Sequence, residues 1–335
     1  MKVTEQPSLK TFNTFGVEAS AGLMLTLETE EDLLSLPPFL PDRDFVLGGG
    51  SNVLFVTGVP GTVVHNRITG REIVKTDQDH AWIEAGAGEN WHELVRWTLQ
   101  NGLSGLENLS LIPGFAGAAP IQNIGAYGVE LATVLESVTA WDLSRSVWKS
   151  FSLEECQLAY RDSRFKSSEP GRFLITSIRL RLNRRFRPQL EYAGLREELS
   201  GSQVTALSVS DAVVRLRLRK LPDPAHVGNA GSFFKNPELA CDEGRLLQQR
   251  FPGLPAWNID DELIKISAAW MIEHCNLKGL RSSTAGVSEQ HALVIVNHGS
   301  ASGEEIWAFA RNIQSTVHSH FGVRLDPEPR IVDFR

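Results

Sequence analysis

The sequence predicts an α+β protein of three units, and three observations lead there. Its 335 residues are 42% hydrophobic and 22% charged, an ordinary globular composition, and at about 100–200 residues per domain the length suits two or three cores. Strand-type patterns dominate residues 45–182, with few helical ones among them. A capped amphipathic helix set between two strand patterns closes the chain.

Thr29, Glu30, Glu31 and Asp32 open a first helix, and residues 45–47, 53–56 and 62–65 read as strands. These make a small α+β unit over 1–70. The second unit, 71–215, has strands at 81–85, 138–141, 147–151 and 173–182 around one clear helix, 90–100, stopped by Asn101 and Gly102. Ile178, Arg179, Leu180, Arg181 and Leu182, followed by Arg184, Arg185 and Arg187, alternate with a strand's period. They read as a solvated strand face, with recognition of an anionic small molecule as the other reading. Residues 214–220 also alternate, but Ser210 and Asp211 resemble a helix start and Pro222 and Pro224 its stop, so a helix is expected there. The chain turns polar over 183–202, and Leu221–Pro-Asp-Pro224 is the strongest punctuation of the second half. The third unit, 216–335, ends on the helix begun by the Ser302/Glu305 capping box. Ile306, Phe309, Ala310, Ile313 and Val317 form its core stripe until Gly322. Strands at 292–297 and 323–325 complete an α/β sandwich.

Composition excludes several function classes. There is no internal repeat or low-complexity tract, and no apolar run approaches the roughly 20 residues of a membrane span. The first ten residues lack the apolar core of a secretory signal. Cys156, Cys241 and Cys275 are odd in number and widely spaced, which fits buried thiols in a reducing cytoplasm. A net charge of −7 argues against a polynucleotide partner. The nine histidines form no metal pattern.

Two glycine-rich strings stand out, LGGGSNVLF at 47–55 and IPGFAGAAPIQNIGAYG at 112–128. Consecutive amides in the first can form an anion-binding nest or simply a tight turn. It has neither the Gly-Lys-Ser/Thr ending of a Walker loop nor the helix of a Rossmann fingerprint. In the second, Gly114, Gly117, Ala118, Ala119, Gly125, Ala126 and Gly128 leave few long side chains, so a ligand can approach the backbone closely. Together they favour a large flat or diphosphate-bearing cofactor over structural loops. YRDS at 160–163, GNAGSFFKNP at 228–237 and LDPEPR at 325–330 carry reactive side chains, but no GxSxG elbow supports a serine hydrolase.

NTFG at 13–16, GGGSNVLF, GAGENWHELV at 86–95, GLENLSLIPG with PIQNIGAYGVEL, YRDSRFK, KLPDP, GNAGSFFKNP and LDPEPR occur in one order from Asn13 to Val332. In this the sequence resembles the UDP-N-acetylenolpyruvoylglucosamine reductase family, in its longer-chain class. The resemblance implies two domains forming a vanillyl-alcohol-oxidase-type fold around noncovalent FAD, and a third closing over substrate. It implies that NADPH reduces the flavin and that UDP-N-acetylglucosamine enolpyruvate then accepts the hydride, giving UDP-N-acetylmuramate for peptidoglycan. A cytoplasmic monomer is expected, with no membrane or nucleic-acid partner.

By the same resemblance Arg161, Ser232 and Glu328 are catalytic. Arg161 would fork hydrogen bonds to the substrate carboxylate and Ser232 would protonate the enolate. Glu328 would donate a hydrogen bond if protonated, or orient its neighbours if not. Tyr192, Lys220 and Asn236 would hold the diphosphate and sugar. FAD would lie against Gly48, Gly49, Gly50, Ser51 and Asn52, and against Pro113, Gly114, Gly117, Ala118, Ala119, Ile121, Gln122, Asn123, Gly125, Ala126 and Tyr127. Four residues depart from the family. Pro329 stands where valine is more usual, His291 where Gln or Lys is, and Ala118 and Ala119 where some relatives carry serines. Two rivals are another flavin oxidoreductase of the same fold and a noncatalytic UDP-sugar sensor.

Overall fold

The strand Val59–Asn66 is buried at all but two of its positions, as a central parallel strand must be. It pairs in parallel with Ala21–Leu27 on one side and Phe45–Leu47 on the other, and the exposed strand Lys2–Glu5 adds an antiparallel edge. The helix expected from Thr29 is a short 3-10 segment, Glu30–Ser35, whose Asp32 carboxylate accepts from the Thr29 amide at 3.2 Å. In the computed structural model, which describes residues 1–201 and 203–335, this sheet belongs to the first of two compact units. That unit holds residues 1–7, 20–50 and 59–218, and the second holds 8–19, 51–58 and 219–335. Of the boundaries expected from the sequence, 215/216 lies three residues before the change at 218/219, whereas 70/71 falls inside the first unit, between its two sheets.

The second sheet of unit 1 is wholly antiparallel, in the order Val147–Ser152, Leu135–Asp142, Phe173–Asn183, His80–Gly86, Arg71–Thr76. Its strands match the expected ones to within a few residues. Asn90 caps the helix Trp91–Gln100 by accepting from Glu93 N at 3.1 Å, and Trp91, Leu94, Val95 and Thr98 turn inward to the core of Ile83, Val138 and Ile178. The alternating arginines sit on a polar face: Arg179 pairs with Glu84 at 2.6 Å and Arg185 lies 3.7 Å from Asp79.

The helix expected to begin at Ser210 spans Ala206–Lys220. Its cap is Thr205, whose hydroxyl accepts from Ser208 N at 3.1 Å while Ser208 Oγ accepts from Thr205 N at 2.9 Å. Ser210 and Asp211 are interior because Arg96 of the earlier helix satisfies both, at 3.0 and 2.6 Å. Side chains that looked like caps are thus tertiary contacts.

Unit 2 contains two three-stranded antiparallel sheets, Gly228–Ser232 / Val294–Asn297 / Ala285–Val287 and Glu238–Ala240 / Leu263–Ile266 / Ala256–Asn258. It also contains the parallel pair Val53–Phe55 / Arg330–Val332. The helix Gly303–Phe321 has both halves of its capping box and ends at Gly322 with φ 75°. A strand expected at 323–325 does not form. Val323 and Leu325 are buried, but the Leu325 carbonyl accepts from the Gln314 side chain at 2.7 Å, and the strand comes later, at Arg330.

Candidate functional site

In unit 1 the two glycine-rich strings meet. A Cβ placed on Gly49 would lie 2.9 Å from Gly114 Cα, so the backbones touch. A Cβ on Gly48 would find only Ala118 Cβ and the Phe115 ring at 3.9 Å, which leaves an open seam between the strings. Gly50 and Gly114, at φ 62° and 117°, make turns that a side chain would strain. Downstream of Pro113, two 3-10 turns follow, Ala116–Ala118 and Pro120–Gln122, the second holding Ile121 and preceded by Ala119. Gly117 is packed on protein: its Cβ would stand 2.4 Å from Ala87 Cβ, so substitution there disturbs the core as well as the seam. Asn123 is also committed, donating to Glu130 at 2.8 Å and Ala159 at 3.0 Å and accepting from Ala132 at 3.0 Å. A seam lined by backbone and small residues, open at Gly48 and closed to a side chain at Gly49, suits a flat, diphosphate-bearing group, so the residues present fit FAD.

The hairpin Gly125–Ala126 / Val129–Glu130 turns through Tyr127 and Gly128, at φ 51° and 82°. Asn108 pins the turn by donating to the Tyr127 carbonyl at 2.8 Å and holds the Gln189 carbonyl at 2.9 Å. Arg161, itself left-handed at φ 54°, lays its guanidinium on Gly125 and donates to that carbonyl at 2.7 Å. A Cβ on Gly125 would approach Arg161 Nη1 to 3.0 Å. The Tyr192 ring meets Tyr127 edge-on at 4.7 Å. Beneath them Leu195, Leu199, Val209, Val213 and Leu216 form a local core, so the 186–199 stretch is docked on Tyr127.

Arg217 joins this cluster and was not singled out in the sequence. Its guanidinium is desolvated, with Nε buried and unbonded. Burial holds its pKa below the usual arginine range; Tyr127 and Tyr192 oppose that shift and the nearby Arg161 charge adds to it. The available signal was positional. Val209 and Val213 are buried at i and i+4, and residue 217 continues that stripe with a charge. Two arginines and two tyrosines converging this way have the chemistry to hold an anion.

Unit 2 places Ser232 beside Glu328 along the backbone. Gly231, φ 71°, forms a bulge before Ser232, and the Asn229 side chain holds the bend through Pro222, Val227 and Gly231. The next residue, Phe233, accepts from Glu328 N at 2.8 Å, and Lys235 N donates to Asp326 at 2.9 Å. Asn52 braces the same string, its amide donating to the Glu328 carbonyl at 3.3 Å and its carbonyl accepting from Arg330 N at 3.0 Å. Pro329 therefore removes no donor that the ladder uses. Asn236 accepts from Ala268 N at 3.0 Å, which leaves its NH2 as the group to offer. Lys220 and Lys278 add to the burial that lowers the His291 pKa, Glu273 opposing. His291 Nδ1 accepts from Leu293 N at 3.2 Å, which fixes an Nε2–H donor.

A cavity of about 580 Å3 in unit 2 is lined by residues 13–16, 223–228 and 297–299, none of them an expected site residue. Asn13 of the NTFG string is structural, bonded to Leu9 and Val17. Among the described residues no group of His, Cys, Asp and Glu could hold a metal ion, and no helix is long and apolar enough to cross a membrane.

A family model described as UDP-N-acetylenolpyruvoylglucosamine reductase, C-terminal domain, matches residues 223–332, and one described as FAD binding domain matches 25–146. The UDP-N-acetylenolpyruvoylglucosamine reductase of Bordetella pertussis is 46% identical over 331 residues, covering 98% of this chain and 94% of that one. The Pseudomonas aeruginosa reductase is 44% identical, covering 99% of each chain. The crystal structure of the Thermus caldophilus enzyme superposes with a TM-score of 0.68 at 28% identity, covering 99% of this chain and 100% of that one.

Proposed function

The chain belongs to the UDP-N-acetylenolpyruvoylglucosamine reductase family, and from that membership we propose how its own residues divide the work. The activity is an FAD-dependent, NADPH-driven reduction of UDP-N-acetylglucosamine enolpyruvate to UDP-N-acetylmuramate for peptidoglycan synthesis. In the proposed organisation, residues 1–70 and 71–215 bind FAD and 216–335 bind substrate, in a cytoplasmic monomer.

Bound FAD, once reduced by NADPH, would supply a hydride to the vinyl carbon of the enol ether. The adjacent carbon then gains negative charge, delocalised into its carboxylate. Arg161 binds that carboxylate, because a guanidinium fork fits it and Gly125 leaves room for the fork. Ser232 gives its hydroxyl proton to the substrate carbon; an enolate is basic enough to take it. Glu328 orients Ser232 from a backbone fixed by Asn52 and Phe233. Tyr192, Lys220 and Asn236 hold the diphosphate and sugar, and Arg217 joins them. The strings Gly48 to Asn52 and Pro113 to Tyr127 receive the flavin.

The observation that carries this reading is the desolvated Arg217 guanidinium beside Arg161, Tyr127 and Tyr192, a cluster suited to an anion. Ser232→Ala tests the chemistry. Reduction of the flavin by NADPH should continue, while its reoxidation by the UDP-sugar falls by roughly 10²–10⁴. Equal slowing of both half-reactions would make Ser232 a structural residue that seats Phe233 and Phe234. Rapid oxygen reactivity without UDP-sugar turnover would favour another flavin oxidoreductase.

A further inference from the structure

Arg67 lies where three glycine segments converge. It follows the strand Val59–Asn66, and Asn66 fixes the exit by donating to Ile175 O at 2.6 Å and accepting from Ile68 N at 3.2 Å. A Cβ on Gly88 would stand 2.6 Å from Arg67 Cα, so the Gly86–Gly88 turn is pressed on this residue. The Arg67 guanidinium sits 4.9 Å from the centroid of Phe115. The edge of that ring faces Gly48 and Gly49, its Cδ atoms 3.9 and 3.4 Å from their built Cβ positions. His65 stacks on the ring at 6.5 Å and 27°.

Three other arginines of unit 1 that lie over rings also have acids. Arg71 is 3.7 Å from Glu89, Arg164 is 2.7 Å from Glu169, and Arg172 is 2.8 Å from Asp142. Arg67 has no such ion pair among the described residues. Its exposed charge is held beside the seam by the aromatic ring rather than by a carboxylate.

We propose that Arg67, fixed on Phe115 next to the Gly48–Gly49 turn, is a cofactor-binding residue whose charge meets the diphosphate of FAD. The proposal rests on the flavin reading of the seam. Burial, and then Arg67's charge, lower the His65 pKa to about 4, so His65 adds no second cation at neutral pH.

FAD affinity of deflavinated protein, read by quenching of flavin fluorescence at low and high salt, tests it. Arg67→Gln should weaken FAD binding about tenfold at low salt and flatten the salt dependence, because a phosphate–guanidinium contact is lost. Arg67→Lys should keep most of both. Arg67→Gln with wild-type affinity and salt slope would make Arg67 a solvated surface residue and overturn the proposal. Weaker binding with an unchanged salt slope would overturn it too, assigning Arg67 to scaffolding. Failure of the wild-type protein to take up FAD would instead overturn the flavin reading.

Discussion

At the residue scale the chemistry depends on charges whose desolvation is offset by neighbours or by ligand. Arg217→Met keeps length and apolar volume but removes the charge. It should raise the apparent constant for the UDP-sugar by about tenfold or more while leaving flavin reduction by NADPH unchanged, since a charge-assisted contact contributes about 1.5–3 kcal/mol. Folding stability should not fall, because the unliganded protein loses a desolvated charge. Equal damage to both half-reactions would remove Arg217 from the substrate site. His65 gives a pH test. Its folded pKa, about 4, lies below the ordinary 6.5, so between those values the unfolded chain binds the extra proton. Stability from this residue is therefore intact above about pH 6.5 and falls by up to about 3 kcal/mol as pH drops to about 4. Urea unfolding of His65→Gln should show a shallower loss over that window, and an identical slope would refute the assignment. Arg161 and Ser232 could be singled out because each sits in a distinctive string, and Tyr192 only through the family resemblance. Arg217 was not, since a basic residue in a basic helix looks solvated until its stripe is known to be buried.

At the element scale, caps and glycines decide. Replacing a helical glycine by alanine ordinarily stabilises by about 1 kcal/mol. At Gly303 the sign should reverse, because a Cβ there would lie 1.7 Å from the Phe55 carbonyl oxygen. Gly303→Ala should lower the melting temperature, and a gain would show that the helix can shift off the strand Val53–Phe55. The Ser302/Glu305 box, the helix over 90–100 with its Asn101–Gly102 stop and the strands of the antiparallel sheet were readable because their signals lie within a few residues. The start of Ala206–Lys220 was misread because Ser210 and Asp211 bond to Arg96, far away in sequence.

At the scale of the molecule, unit 2 is not one continuous segment. Segments 8–19 and 51–58 pack with 219–335. Within it, Phe15 O would stand 2.2 Å from a Cβ on Gly228 and accepts from Asn297 at 2.9 Å, and Val53–Phe55 completes the ladder with Arg330–Val332. A fragment of residues 216–335 should therefore lack cooperative thermal unfolding by circular dichroism. Cooperative melting of that fragment would show that the C-terminal segment is self-sufficient.

Strand periodicity, helix stops and the spacing of small residues follow from local sterics and hydrogen bonding, and so the α+β class, the glycine seam and the ordered motifs could be read along the chain. Which segments share a core, why residues 8–19 leave the first sheet, and how Arg217 comes to lie beside Arg161 and two tyrosines depend on contacts between residues far apart in sequence. Those contacts are fixed by burial summed over the folded chain, which no local pattern encodes.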